Sequence, residues 1–189
     1  MQSNPIDSYI SVYKNFFPQD FCDKWVDFYS NKIYSSHQWQ DDNDAKFKIN
    51  QQEFEVLYLD NYKDKEFVSV IVNNLFNCMQ NYENDLKTRC YVSKFSPLRL
   101  NKYSASTKMN KHVDHIHDIF NGTEKGIPIL SFIVNLNDDY EGGELVFFDD
   151  VKIKLDKGDV VIFPANFMYP HRIEPIINST RYSLVCWGF

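Results

Sequence analysis

With 189 residues, 43% of them hydrophobic, and a formal net charge of -6, the chain is long enough to bury a core without disulfides or structural metals, and nothing in its length calls for a second domain. Its acidic balance weighs against a general nucleic-acid binder, because phosphate binding draws on clustered Lys and Arg. Cys22, Cys78, Cys90 and Cys186 form no CxxC pair, so a reducing, cytoplasmic setting is expected, and the polar start and lack of a long apolar run predict a soluble chain with neither signal peptide nor membrane span.

Tyr9 to Phe17 is apolar and aromatic, and Pro18 suits the first turn of a helix, where its missing amide hydrogen costs little. Phe21, Cys22, Trp25, Phe28 and Tyr29 recur at helical spacing, predicting an amphipathic helix over 18–31. Asn31 to about Gln52 is polar and irregular, as in a functional lid or a disordered stretch. Phe54, Val56 and Tyr58 alternate as in a strand, and Phe67, Val70, Ile71, Leu75, Cys78, Met79 and Tyr82 predict a second helix.

Beyond Arg89 the texture changes to short β-rich runs. Strands are predicted at Tyr91 to Phe95, Leu98 to Tyr103, Lys111 to His115, Ile127 to Leu136 and Glu144 to Phe148. Further strands are predicted at Val151 to Leu155, Val160 to Phe163, His171 to Glu174 and Arg181 to Trp187. Glu141-Gly142-Gly143 and Asp156-Lys157-Gly158-Asp159 are turn signals. The expected fold is mainly β with flanking α, a jelly-roll core over about 90–189 braced by helical support over about 1–89, all in one domain.

The chemistry-bearing residues lie in the last part of the chain. His112 and Asp114 are two positions apart, so on an extended strand both side chains leave one face. With His171 they offer two imidazoles and one carboxylate, the facial ligand set of a non-haem Fe(II) oxygenase site. Arg181 and Ser183 share a face of the last strand and can clamp a carboxylate, Arg by two parallel charge-assisted hydrogen bonds. Tyr103 is placed to lend its phenol to the same carboxylate. Trp187 and Tyr169 are candidate pocket walls.

These residues carry a family resemblance. Tyr103, His112-Val113-Asp114, Asn135 to Leu145, Gly158 to Pro164, His171 and Arg181 to Leu184 with Trp187 resemble the prolyl 4-hydroxylase-like branch of the iron(II) and 2-oxoglutarate-dependent dioxygenases over about residues 98–189. The resemblance implies a double-stranded β-helix with Fe(II) on His112, Asp114 and His171. It also implies 2-oxoglutarate as cosubstrate, its distal carboxylate on Arg181 with help from Tyr103, and O2 as co-reactant with ascorbate as supporting reductant. The products would be succinate, CO2 and a hydroxylated substrate, and Gly142-Gly143 would shape a hairpin needing positive φ.

Other readings are weaker. His115 and His117 alternate on the opposite face from His112, but a cupin ligand set is incomplete around them, so surface or supporting roles are expected. A DNA or RNA alkylation-repair enzyme typically has a second Arg six residues after the first, where this chain has Trp187. A non-catalytic jelly-roll binding module has no physical need for unpaired His and carboxylate groups in one pocket. The expected substrate group is a prolyl residue in a peptide or protein, with His37 and Trp39 of the polar segment covering the extended chain. A free amino acid or other small metabolite is the alternative, with that segment as a closing lid.

Overall fold

In the computed structural model, which describes residues 5–40, 47–49, 52–59, 65–114 and 126–189, the chain opens with a 3-10 turn at Pro5–Tyr9. Strand β1 (Ser11–Tyr13), helix α1 (Gln19–Tyr29), and strands β2 (Ser35–Ser36), β3 (Gln38–Gln40), β4 (Phe47–Ile49) and β5 (Glu55–Tyr58) follow. Helix α2 (Lys65–Leu86) then leads into β6 (Arg99–Tyr103), β7 (Met109–His112), β8 (Leu130–Asn135), β9 (Glu141–Gly142) and β10 (Leu145–Phe147). The last strands are β11 (Val151–Ile153), β12 (Val160–Pro164), β13 (His171–Ile173), β14 (Ile176–Asn178) and β15 (Arg181–Gly188).

Both helices stand where apolar spacing predicts them. Pro18 takes the position before α1 with φ -58° and ψ 141°, and Cys22, Trp25 and Tyr29 form the buried stripe. In α2 the stripe is Ile71, Leu75, Cys78, Met79 and Tyr82. Tyr82 donates from its hydroxyl to the Tyr9 carbonyl at 2.8 Å, tying α2 to the start of the chain. No helix among the described residues is long and apolar enough to cross a membrane.

The strands form a seven-stranded sheet in the order β1-β12-β8-β15-β6-β5-β2 and a four-stranded sheet in the order β11-β10-β13-β7. All the strand pairings in both are antiparallel. The large sheet is buried on both faces, and the period of two decides what each face carries. Leu100, Leu130, Phe132, Val134, Leu184 and Cys186 pack with Trp25, Leu75 and Tyr82 of the helices. The alternate residues, among them Tyr103, Ile133 and Val185, pack with Leu145, Phe147 and Ile173 of the small sheet. This is a double-sheet β core flanked by helices, and the chemistry-bearing residues sit between the sheets.

Three expectations change. Tyr91 to Phe95 is not a strand: Tyr91 has φ 54°, and the amides of Ser93 and Lys94 both donate to the Phe189 carbonyl. The segment from Asn31 to Gln52 is not wholly irregular, since β2 pairs with β5 and β3 with β4. Gly142 and Gly143 do have the expected positive φ, 77° and 69°, but they close no hairpin, since β9 pairs with β14. A Cβ on Gly143 would press on Ile176 and lie 3.2 Å from Arg181 Cδ, so this glycine leaves room beside the Arg181 side chain.

Candidate functional site

Sheet pairing brings His112 and His171 together, because β7 and β13 align with these two residues as direct partners. Asp114 follows the end of β7, and its Oδ1 lies 3.4 Å from His112 Nε2 and its Oδ2 4.0 Å from His171 Nε2. Ligand atoms of all three residues lie within 4.8 Å of one another, close enough to share one metal ion. The local backbone sets the orientation of each ring. His112 Nδ1 lies 2.9 Å from the Asn110 carbonyl and His171 Nδ1 3.1 Å from the Tyr169 carbonyl.

A carbonyl oxygen only accepts, so each Nδ1 carries a proton and each Nε2, on the Asp114 side, is the ring atom left to ligate a metal. Burial pushes His171 down to about 4, which keeps its imidazole neutral. Burial alone would raise the Asp114 carboxyl, but the His171 and His112 imidazoles and the Ser131 hydroxyl hold it well below the usual carboxylate range. Two imidazole nitrogens and a carboxylate converge on one point there. The donor set therefore fits a metal, and it fits an Fe(II)-type ion with nitrogen and oxygen ligands.

Ser131 was not singled out by its sequence context. Its Oγ donates to Asp114 Oδ2 at 2.6 Å and reaches across from β8 of the large sheet to the residue just past β7. Only the inward face of β8, which alternates with Leu130, Phe132 and Val134, signals such a role.

At the other end of the pocket Arg181 pairs in register with Tyr103, and its guanidinium lies 5.2 Å from the centre of the Tyr103 ring. Arg181 is 1% exposed, and its Nε donates to Asn135 Oδ1 and to the Tyr140 hydroxyl, each at 3.1 Å. Its Nη1, Ser183 Oγ and Asn101 Oδ1 are buried with no partner among the described residues. These polar atoms line the same pocket as the three metal-type donors. Buried polar atoms are usually satisfied, so this cluster marks the place of a polar ligand, and a guanidinium beside a hydroxyl suits a carboxylate. Tyr103 is buried, its hydroxyl 3.7 Å from Met109 Sδ and 3.4 Å from Asn101 Nδ2, with burial raising its phenol pKa.

Other candidates take different places. Trp187 lines the pocket, whereas Tyr169 packs in the core, donates to the Ile6 carbonyl at 3.3 Å and serves the site through its own carbonyl on His171. His37 does not stand free at the mouth: it is buried, lies 3.3 Å from Glu53 Oε2 and stacks on Phe54, which stacks on Tyr103. His115 and His117 and the side chain of Trp39 lie outside the described residues.

Comparison with known proteins agrees with this arrangement. The family model described as the 2OG-Fe(II) oxygenase superfamily matches residues 98–189. A PKHD-type hydroxylase of Pseudomonas aeruginosa is 33% identical over 99 residues, covering 49% of this chain and 42% of the relative. A PKHD-type hydroxylase of Hyphomonas neptunium is 36% identical over 96 residues, covering 47% and 41%. The chain thus spans less than half the length of these relatives. Two solved structures share the fold at 16% identity. The collagen prolyl hydroxylase of Paramecium Bursaria Chlorella virus-1 has a TM-score of 0.67 with 97% of each chain covered. A Trichoplax adhaerens prolyl hydroxylase, bound to a hypoxia inducible factor peptide, has a TM-score of 0.71 with 96% of this chain and 83% of that one covered. Residues 98–189 thus match the 2OG-Fe(II) oxygenase superfamily, and the histidine and aspartate cluster lies inside the matched stretch.

Proposed function

We propose that this chain is an Fe(II)- and 2-oxoglutarate-dependent dioxygenase that hydroxylates a substrate C-H bond. The observation that carries the proposal is one pocket holding three convergent metal-type donors at one end and a buried guanidinium with an unpartnered Nη1 at the other. His112, Asp114 and His171 would hold the iron. Arg181, with Ser183 and Tyr103, would hold the distal carboxylate of 2-oxoglutarate. Iron bound there with 2-oxoglutarate and O2 supplies the oxidising chemistry, releasing succinate and CO2 as one oxygen atom enters the substrate.

The residues of this chain supply orientation and exclusion of water. The backbone carbonyls of Asn110 and Tyr169 fix the imidazole tautomers, Ser131 fixes the carboxylate, and Asn135 with Tyr140 fixes Arg181. Ile133, Ile173 and Val185 line the space between the two ends and keep it apolar. Residues 1–189 are read as one domain, the helices bracing the outer face of the large sheet. A reducing, cytoplasmic setting is part of the proposal, supported by the free thiols of Cys22, Cys78, Cys90 and Cys186.

For the substrate we propose a prolyl residue in a peptide or protein. Support comes from the fold shared with prolyl hydroxylases and from the fixed φ of proline, which limits the conformations to be frozen before one C-H bond faces the oxidant. A free amino acid or small metabolite is the second reading. Incubation of proline-containing peptides and of free amino acids with Fe(II), ascorbate and 2-oxoglutarate tests this by mass spectrometry. One added oxygen on proline in a peptide supports it, and oxidation confined to free amino acids rejects the peptide assignment while leaving the dioxygenase assignment standing.

A further inference from the structure

Arg99 has no task in the chemistry described so far. It opens β6, is 7% exposed, and lines the same pocket as His112, Asp114 and Arg181. Its guanidinium lies against two aromatic faces, 4.8 Å from the Trp187 ring centre and 5.8 Å from that of Phe54. Among the described residues it forms no ion pair and no hydrogen bond, and its Nε is buried without a partner. Arginine stays charged at any pH a protein meets, so the group is a buried cation lacking a counter-ion.

The surrounding charges do not relieve it. Glu53, the buried carboxylate nearby in the fold, accepts from Asn110 Nδ2 at 2.7 Å and pairs with His37, and no ion pair joins it to Arg99 among the described residues. Arg172, by contrast, pairs with Asp149 and Glu174, and Arg181 has its Nε satisfied. Cation-π contact with Trp187 offsets part of the desolvation, but it leaves the N-H donors without acceptors.

Register places this cation at the reactive end of the pocket. Arg99 faces Val185 across the β6-β15 ladder and Tyr103 faces Arg181, so the two guanidinium-bearing rungs stand roughly 13 Å apart along the strands. Trp187 pairs with Ser131, the residue that holds Asp114, so Arg99 and Trp187 flank the same end as the metal-type donors. A dicarboxylate anchored at Arg181 and reaching the Asp114 cluster leaves Arg99 free for a second anion.

We propose that Arg99 binds a carboxylate of the primary substrate beside the His112, Asp114 and His171 cluster, a proposal that rests on the dioxygenase reading. That carboxylate has two chemical sources: the free α-carboxylate of a small acid, or an acidic side chain next to the target residue of a peptide.

Binding without turnover tests this on the whole protein loaded with Mn(II) and 2-oxoglutarate, by calorimetry. One arm pairs free L-amino acids, proline included, with their carboxamides. The other pairs prolyl peptides having Asp or Glu beside proline with the same peptides having Asn or Gln. The acid member of a pair in one arm binds at least tenfold tighter than its amide in wild type, and the arm in which this occurs names the source. In Arg99→Gln that ratio falls to near one, Arg99→Lys keeps part of it, and the affinity for 2-oxoglutarate is unchanged. Ligand-free Arg99→Met melts no lower than wild type, as expected when an unpaired buried charge is removed. Equal binding of acid and amide in both arms, discrimination that survives Arg99→Gln, or weakened 2-oxoglutarate binding in that variant overturns the proposal. A lowered melting temperature in Arg99→Met overturns it too, since it makes Arg99 a structural group. Failure of wild type to bind Mn(II) and 2-oxoglutarate would remove the dioxygenase reading itself.

Discussion

Ser131 lies in β8 of the large sheet and Asp114 just past the end of β7 of the small sheet, yet the Ser131 hydroxyl donates to Asp114 Oδ2 at 2.6 Å. The bond fixes one carboxylate oxygen and leaves the other, Oδ1, facing His112 Nε2 at 3.4 Å. Ser131→Ala should therefore weaken Fe(II) or Mn(II) binding by about 10- to 100-fold, the usual effect of losing a group that orients a metal ligand. Metal titration of the variant checks this, and an unchanged affinity would remove Ser131 from the site.

Arg181→Leu should raise the Michaelis constant for 2-oxoglutarate far more than it alters metal affinity, because Arg181 lies at the opposite end of the pocket from the metal-type donors. Tyr103→Phe should cost only about 0.5 to 1.5 kcal/mol of 2-oxoglutarate binding, the net worth of one hydrogen bond. Steady-state kinetics with varied 2-oxoglutarate separates the two effects. An unaltered 2-oxoglutarate dependence in Arg181→Leu counts against the anchor.

Gly143→Ala should destabilise the fold by about 1 to 3 kcal/mol, the range for a residue forced into a disfavoured backbone region. The new methyl also presses on Ile176 and lies 3.2 Å from Arg181 Cδ. Thermal unfolding measures the loss. Because the crowding falls on Arg181, 2-oxoglutarate affinity should drop more than metal affinity, and equal stability with wild type would contradict the argument.

The helix-facing side of the large sheet is a separate matter from the site. Trp25 is fully buried and packs with Tyr29 and Phe67, so Trp25→Ala should cost about 3 to 5 kcal/mol of stability. The folded fraction should bind metal with unchanged affinity. A combined denaturation and metal-binding measurement shows whether the helices brace the core without shaping the donors.

The convergence of His112, Asp114 and His171 is legible in the sequence because few residue types offer such a donor set, although Asp114 lies past the end of β7 and not on the expected strand. Ser131, Asn135 and Arg99 are not, since each gains its meaning from strands far away in the chain that become neighbours only by sheet pairing. A serine inside an apolar strand gives no sign of which carboxylate it will meet. The helices are legible from their apolar stripes, while β9 and β14 are two and three residues long and carry too little pattern to find. Tyr91 to Phe95 misleads for the opposite reason: its residue types are β-prone, but the Ser93 and Lys94 amides are taken by the Phe189 carbonyl. The stacking of His37 on Phe54 likewise depends on tertiary position, so its polar surroundings in sequence suggest exposure where the structure has burial.

The central claim is that His112, Asp114 and His171 hold an iron that drives 2-oxoglutarate turnover. Asp114→Ala, which removes the one anionic donor of the three, tests it when Fe(II) affinity and succinate formation are measured together on protein whose thermal unfolding shows it is folded. The account predicts that both are lost. Fe(II) affinity and succinate formation equal to wild type would contradict it.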